Sequence, residues 1–167
     1  MNEIIIKEVI DISPHIHTLS DLLVKVVNDG ASIGFLPPLE QGDARDYWLD
    51  ALKPEVILLV ATLDHETVGS VQLHLCPRPN GKHRAEIAKL MVHPRFRRKG
   101  IGRMLMEHAE RKAKHEKRSL LVLDTREGDP SNHLYRSLGY IEAGRIPQYA
   151  ESAGGILDNT IFYYKQL

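Results

Sequence analysis

The sequence predicts an α/β fold with a mixed central sheet of about six to seven strands and helices on both faces. Short β-branched runs alternate with longer segments of helical periodicity, in the order βααβββαβαββ. Residues 120–124 are apolar on both faces, which is typical of a central parallel strand. The sequence contains no internal repeat, low-complexity run or linker, so we expect a single domain over residues 1–167.

The N-terminal third predicts one strand followed by two helices. Residues 3–9 are β-branched and short, as expected for a strand. Ser13 and Pro14 then suggest an N-cap and a first helical residue, and the helix should stop at Asp29-Gly30. After a breaker-rich loop, residues 40–52 predict the second helix.

The middle of the chain predicts three strands and a helix. Residues 56–63 and 67–75 form an antiparallel hairpin, because about three turn residues separate two strand-like runs. Residues 84–92 predict the next strand, and residues 101–116 predict a helix. Strict alternation in the third strand places Lys89 on the same buried face as Ile87 and Met91, and a β-bulge would relieve this conflict.

The C-terminal third predicts a parallel strand, a short helix and two final strands. The strand at residues 120–124 precedes a helix that begins at Asp129-Pro130 and ends at Gly139 in the C′ position. Residues 140–146 and 159–165 complete the sheet.

Composition limits the classes of function. Lys plus Arg and Asp plus Glu both total 22, so nothing suggests a nucleic-acid partner. Cys76 is the single cysteine, which excludes an intrachain disulfide and suits a reducing compartment. The start of the chain lacks the basic region of a secretion signal, and no apolar run approaches the ~20 residues of a membrane span. We therefore expect a cytoplasmic protein with no membrane partner.

A basic loop with two glycines is the main candidate site. It follows a buried strand and leads directly into the helix that begins at Ile101. The first turn of a helix has unpaired N–H groups and partial positive charge, and glycine lets a ligand approach the backbone. Gly100 and Gly102, preceded by Arg97, Arg98 and Lys99, therefore predict a site for a pyrophosphate.

Two common phosphate motifs do not fit this loop. GxxxxGK[ST] does not occur, and GxGxxG fails because Leu105 stands at the third glycine. Residues 97–102 (RRKGIG) match R/Q-x-x-G-x-G/A and follow LMVHP. This segment resembles the pyrophosphate loop of the GNAT superfamily of N-acetyltransferases. The resemblance implies the GNAT fold and acetyl-CoA as co-substrate.

A second motif supports the resemblance. Residues 134–140 (LYRSLGY) are similar to the superfamily element LY-x-x-x-G-[FY], which ends the second cofactor-contacting helix. Many members carry an Asn-x-x-Ala before this element, but Gly128 and Ser131 occupy those positions here. Asn132 is displaced by four residues and should not inherit the role of that asparagine.

The resemblance assigns residues to the reaction. Tyr135 corresponds to the general acid that protonates the CoA sulfur, and Glu86 and Asp124 are alternative general bases on strands beside the cofactor. The backbone of residues 90–92 binds the pantetheine arm. The cofactor-binding residues are Leu90, Met91, Val92, Arg97, Arg98, Lys99, Gly100, Ile101, Gly102, Arg103 and Tyr135. No metal site is expected, because the nine histidines show no ligand-like spacing.

Several shorter segments, among them residues 30–35, 79–81 and 123–125, resemble the tabtoxin-resistance acetyltransferase. That enzyme acetylates the amino group of a β-lactam amino-acid toxin, so the resemblance implies a small-molecule amine acceptor and a role in antibiotic or toxin resistance. Two alternatives remain: acetylation of a protein N-terminus or lysine, and a CoA-binding module without catalysis. If residues 30–38 and 148–159 close the acceptor site, peptides are excluded. The resemblance also allows a homodimer.

Overall fold

The computed structural model describes residues 3–167, and seven strands of this part of the chain form one sheet. Met1 and Asn2 lie outside the described residues. They are the first two residues of the N-terminal segment in which we expect no secretion signal. The elements are β1 Ile5–Val9, α1 Ile16–Asn28, α2 Gln41–Leu49, β2 Val56–Leu63, β3 Glu66–Leu75, β4 Arg84–Val92, α3 Ile101–His115, β5 Leu120–Arg126, α4 Ser131–Ser137, β6 Ile141–Glu151 and β7 Leu157–Gln166. The predicted order βααβββαβαββ is confirmed.

The sheet has the strand order β1-β2-β3-β4-β5-β7-β6. Neighbouring strands are antiparallel except β4 and β5, which are parallel. This one parallel pair is short, because it joins only residues 84–86 to residues 120–122. Further along, β4 continues beside β3 and β5 continues beside β7. The sheet therefore opens between the second halves of β4 and β5.

The predicted β-bulge is present in β4. Ser70 of β3 faces Met91 and Gln72 faces Ala88, so one residue of β3 opposes two of β4. Lys89 lies at this extra position with φ +54°. The bulge reverses the alternation, because Ile87 packs beneath α3 whereas Met91 packs beneath α1 and α2. The conflict predicted for Lys89 is thereby resolved.

Two hydrophobic layers lie on opposite faces of the sheet. The layer beneath α3 and α4 contains residues from β2, β3, β4, β5 and β7. The layer beneath α1 and α2 contains strand residues from β1, β2 and β4 only, as far as the described residues go. Trp48 of α2 is fully buried there and donates a hydrogen bond to the Leu19 carbonyl at 2.9 Å. On this face, α1 and α2 therefore leave the β5-β7-β6 half of the sheet uncovered.

The structure corrects the prediction at Ser13. The backbone N–H of Ser13 donates to Asp11 Oδ1 at 3.0 Å, Ser13–His15 form a 3₁₀ turn, and α1 begins only at Ile16. The prediction that Ser13 is an N-cap is therefore wrong, because the Asp11 side chain caps this turn.

The last two strands are longer than predicted. β6 continues from the expected end at residue 146 to Glu151, even though Pro147 interrupts the run. A proline lacks an N–H group and is tolerated where a strand has only one neighbour. β6 is such an edge strand, so the hairpin with β7 extends well beyond the main body of the sheet.

Candidate active site

The loop between β4 and α3 has the geometry of an anion site. Gly100 lies at the N-cap of α3 with φ +81°, a conformation that disfavours residues with a Cβ. A Cβ built on Gly100 would meet no atom within 4 Å, so the space in front of the helix is open. The first intrahelical hydrogen bond runs from Met104 N to Gly100 O at 3.0 Å. The preceding N–H groups at this terminus are therefore available to a phosphate.

Contacts on both sides hold this loop in place. His93 Nδ1 accepts a hydrogen bond from Arg95 N at 3.1 Å, and Arg97 contacts Asp29 Oδ2, after α1, at 2.6 Å. Arg103 of α3 donates to Ser137 Oγ of α4 at 2.6 Å. Gly102 has a different role from Gly100, since a Cβ there would lie only 3.3 Å from the Leu134 side chain. Gly102 therefore allows α3 and α4 to pack closely, while Gly100 supplies the turn.

The opening in the sheet exposes the backbone of β4. Residues 90–92 lie beyond the last pair between β4 and β5. Met91 and Val92 pair with β3 on one side, while the side toward β5 has no strand partner among the described residues. Backbone N–H and C=O groups at such an edge are ready to bind an extended ligand. The predicted pantetheine-binding segment thus borders an open slot that leads from the phosphate loop.

Glu86 and Asp124 flank this opening on the face that α1 and α2 leave uncovered. Ala85 and Leu123 point into the layer beneath α3, so their neighbours Glu86 and Asp124 project from the other face. Both carboxylates reach solvent. The surrounding protein still raises the pKa of each above its ordinary value, and the charge of Asp124 further raises the pKa of Glu86. In the described part of the chain, neither carboxylate has a Lys or Arg partner within 4 Å.

Tyr135 of α4 lies in the hydrophobic layer on the opposite face of the sheet. It is 5% exposed and packs against Tyr140 and Tyr163, with ring centroids 5.9 and 6.0 Å away. Burial strongly raises the pKa of the Tyr135 hydroxyl, and the nearby charge of Asp124 raises it further. The hydroxyl therefore remains protonated at neutral pH and is able to donate a hydrogen bond. A candidate proton donor and two candidate bases thus lie on opposite faces of the sheet.

Comparison with known proteins identifies the family. Residues 25–140 match the acetyltransferase (GNAT) family, which is more than half of the chain. The chain belongs to this family.

Solved structures share the fold over nearly the whole chain. A ribosomal-protein-alanine N-acetyltransferase from Brucella melitensis has a TM-score of 0.81 at 20% identity, covering 98% of this chain and 99% of that one. A Salmonella typhimurium protein described as an acetyltransferase with its cofactor acetyl-CoA has a TM-score of 0.82 at 18% identity, covering 99% and 94%. A candidate phosphinothricin N-acetyltransferase has a TM-score of 0.82 at 18% identity, covering 98% and 99%. These similarities show the GNAT fold.

Asn132 has a structural role in this acetyltransferase. It is buried, and its Nδ2 donates to the carbonyls of Arg126 and Asp129, both at 2.9 Å. Its Oδ1 accepts from the Tyr163 hydroxyl at 2.8 Å. These contacts fasten the turn between β5 and α4, which agrees with the expectation that Asn132 differs from the family's motif asparagine.

The sequence raised the possibility that residues 30–38 and 148–159 close the acceptor site, but it did not reveal the contacts through which the loop and the β6–β7 hairpin meet. A cavity of about 380 Å³ is lined by both segments. Arg126 joins them: it donates to the Gly30 carbonyl at 3.0 Å and to Asp129 at 3.0 Å, and it lies 3.8 Å from Asp158 of β7. The only sequence signal was a charged residue at the end of a central strand, which does not reveal such a bridge.

A second group missed by sequence reasoning lies beside Glu86. Gln72 Nε2 donates to the Tyr47 hydroxyl at 2.7 Å, and Gln72 Oε1 lies 2.8 Å from His74 Nε2. Tyr47 packs edge-on against Phe35 of the loop at 5.1 Å, and the Lys89 ammonium lies 5.9 Å from the Phe35 ring. The misfit of Lys89 in a buried strand was the only signal available from sequence.

Within residues 3–167, no group of three or more His, Cys, Asp or Glu side chains is arranged to hold a metal ion. No helix in this range is both long and apolar enough to cross a membrane.

Proposed function

We propose that this acetyltransferase transfers the acetyl group of acetyl-CoA to the primary amine of a small acceptor, such as an amino acid or an amino-acid-like toxin. The observation that carries the proposal is a cleft on the uncovered face of the sheet, lined by two segments distant in the sequence. Residues 30–38 and the β6–β7 hairpin border one cavity of about 380 Å³ and are joined through Arg126. A volume of this size suits a small molecule better than a folded protein surface.

The site residues fit acetyl-CoA as the donor. The open N-terminus of α3 suits the pyrophosphate, which would lie on the amides of residues 98–103. The unpaired edge of residues 90–92 suits the amides of the pantetheine arm. The thioester would then enter the gap between β4 and β5, with Tyr135 on one side and the carboxylates on the other.

The reaction requires a neutral amine, because an alkyl ammonium with a pKa near ~10 is mostly charged at neutral pH. Asp124 or Glu86 accepts the proton of the ammonium, and the raised pKa of each carboxyl improves it as a base. The amine nitrogen attacks the thioester carbon, the C–N bond forms and the C–S bond breaks. The nitrogen loses its second proton to solvent as the amide forms. The Tyr135 hydroxyl donates its hydrogen to the departing thiolate sulfur, and the tyrosinate then regains a proton from solvent.

The comparisons leave the acceptor open. The Brucella neighbour is named for a ribosomal-protein alanine and another neighbour for phosphinothricin, at TM-scores of 0.81 and 0.82. The size of the cleft, about 380 Å³, favours the second type of acceptor. We also propose a cytoplasmic location, where acetyl-CoA is available, and a role in resistance if the acceptor is a toxin like that of the tabtoxin-resistance enzyme. The single domain and the homodimer remain proposals for size-exclusion and proteolysis experiments.

A thiol-release assay tests the proposal. The protein is incubated with acetyl-CoA and a panel of amino acids, amino-acid antibiotics, and peptides with a free N-terminus or an internal lysine. CoA release with small amines, and an acetylated product of the expected mass, support the proposal. Faster turnover of peptides would favour protein acetylation. Tight acetyl-CoA binding by calorimetry, with no CoA release for any amine, would indicate a binding module instead.

A further inference from the structure

Lys89 is a charged residue of the acceptor face to which the reaction described above gives no role. It lies in the β-bulge of β4 with φ +54° and is only partly exposed. A left-handed backbone and a half-buried ammonium both cost free energy, so a lysine at this position needs a compensating contact. In the described part of the chain, no Asp or Glu lies within 4 Å of its ammonium.

The Lys89 ammonium is directed toward the loop that covers the acceptor side. It lies 5.9 Å from the centre of the Phe35 ring. It also lies 3.2 Å from the position that a Cβ of Gly34 would occupy, and Gly34 has φ +93°. Glycine at residue 34 therefore leaves room for the ammonium between the loop and the strand.

The ammonium also shares a charged environment with the two candidate bases. Burial lowers the pKa of Lys89, while the charges of Glu86 and Asp124 oppose that shift. The three charged groups thus affect one another's pKa values, although Lys89 forms no ion pair with either carboxylate within 4 Å. Glu86 and Lys89 are three residues apart, which corresponds to roughly 10 Å of extended strand. Two side chains anchored at this separation are able to converge on one ligand the size of an amino acid.

We propose that Lys89 binds a carboxylate of the acceptor, so that the acceptor carries a carboxylate beside its reacting amine. This inference rests on the proposed function and narrows its acceptor to amino acids and related zwitterions. The acceptor's ammonium faces Glu86 and Asp124, while its carboxylate faces Lys89 beneath Phe35. Each charged group of a zwitterion then lies beside a side chain of opposite charge, whereas a simple amine has no carboxylate to contact Lys89.

A pair of matched acceptors tests this role. An L-amino acid and its α-carboxamide have the same amine and side chain, and only the acid carries the carboxylate. We expect wild-type kcat/KM to favour the acid. In Lys89→Gln, the acid-to-amide ratio of kcat/KM should fall about 10- to 100-fold, mainly through KM of the acid, because a charge-assisted hydrogen bond is lost. Lys89→Arg should recover part of the ratio, since it restores the positive charge.

The acid-to-amide ratio of kcat/KM distinguishes binding of the acceptor carboxylate by Lys89 from an indirect effect of Lys89 on the pKa of the two candidate bases. Loss of the Lys89 charge also raises the pKa of Glu86 and Asp124, but that change affects both acceptors alike. Lys7→Gln is the matched control, because Lys7 is exposed on β1 at the far edge of the sheet, and its ratio should equal the wild-type ratio. Thermal unfolding of each variant verifies that it is folded.

Three results would overturn the inference. The first is an acid-to-amide ratio that Lys89→Gln leaves unchanged. The second is a wild-type enzyme that acetylates amines or amides but not amino acids, in which case the proposed function stands and the role of Lys89 does not. The third is no CoA release with any amine, which removes the proposed function together with this inference.

Discussion

The half of the sheet formed by β1–β4 differs from the half formed by β5, β7 and β6 in how it is covered. In the first half, α3 packs on one face and α1 and α2 pack on the other. In the second half, one face packs beneath α3 and α4, and β6 is exposed along almost its whole length. We propose that the covered half supplies the strand that binds the cofactor and that the open half leaves space for an acceptor. The candidate site lies where the two halves separate.

The largest expected effect tests this difference in coverage directly. Leu58 of β2 is fully buried beneath α1 and α2, whereas Leu157 of β7 is 52% exposed. Leu58→Ala should lower the free energy of unfolding by about 2–5 kcal/mol, because a cavity remains in the core. Leu157→Ala should lower it by less than about 1 kcal/mol. Denaturant unfolding measures both, and equal losses would contradict this difference in burial between Leu58 and Leu157.

The second prediction concerns the boundary between the halves. Tyr135→Phe should lower kcat by roughly 10- to 1,000-fold, because the hydroxyl that protonates the thiolate is lost. The ring contacts with Tyr140 and Tyr163 remain, so acetyl-CoA affinity and stability should change little. Steady-state kinetics and calorimetry provide both values. An unchanged kcat would leave water or the acceptor itself as the proton source.

The third prediction concerns the phosphate loop of the covered half. Gly100→Val should weaken acetyl-CoA binding by about 10- to 100-fold, because a β-branched residue at φ +81° distorts the N-terminus of α3. Gly42 of α2 is the matched control, since a Cβ there also meets no atom within 4 Å and its φ is not positive. Gly42→Val should bind acetyl-CoA as the wild type does. Equal affinities in all three proteins would contradict the assignment of the phosphate site.

Local patterns were sufficient to predict much of this architecture. Hydrophobic periodicity and breakers gave the order of the elements, and two glycines marked the start of α3. The misfit of Lys89 in strict alternation even predicted the bulge, since that conflict lies within one strand. The assignments of catalytic and cofactor-binding residues stay predictions, and the variants described here test them.

Features that depend on distant parts of the chain could not be predicted. Arg126 donates to Gly30, which lies 96 positions away in the sequence, and no local pattern encodes that contact. The length of β6 depends on its edge position, which makes Pro147 harmless. The N-cap prediction at Ser13 failed for a local reason, because Ser13 already lies inside a 3₁₀ turn and its N–H donates to Asp11, two residues earlier. In each case a contact or a neighbour, rather than a propensity, determines the structure.

The smallest expected effect is the difference between the two carboxylates, which lie on either side of the boundary. Asp124 belongs to the open half and Glu86 to the covered half, where β4 and β5 still pair. We expect Asp124→Asn to lower kcat several-fold more than Glu86→Gln, because Asp124 lies beyond the last β4–β5 pair, beside the gap. A carboxylate that only binds the acceptor ammonium should instead raise KM with little change in kcat.

The pH dependence of kcat/KM identifies the base. A base acts in its deprotonated form, so activity is lost as the pH falls through its pKa. Burial raises the pKa of both carboxyls, and the acid limb should therefore lie above the ordinary carboxyl range near ~4. Asp124→Asn should abolish this limb. If Glu86 is the base instead, the limb remains in Asp124→Asn but moves to lower pH, because the Asp124 charge no longer raises the Glu86 pKa. Wild-type profiles in both variants would mean that neither carboxylate is the base, and the amine would then lose its proton to water.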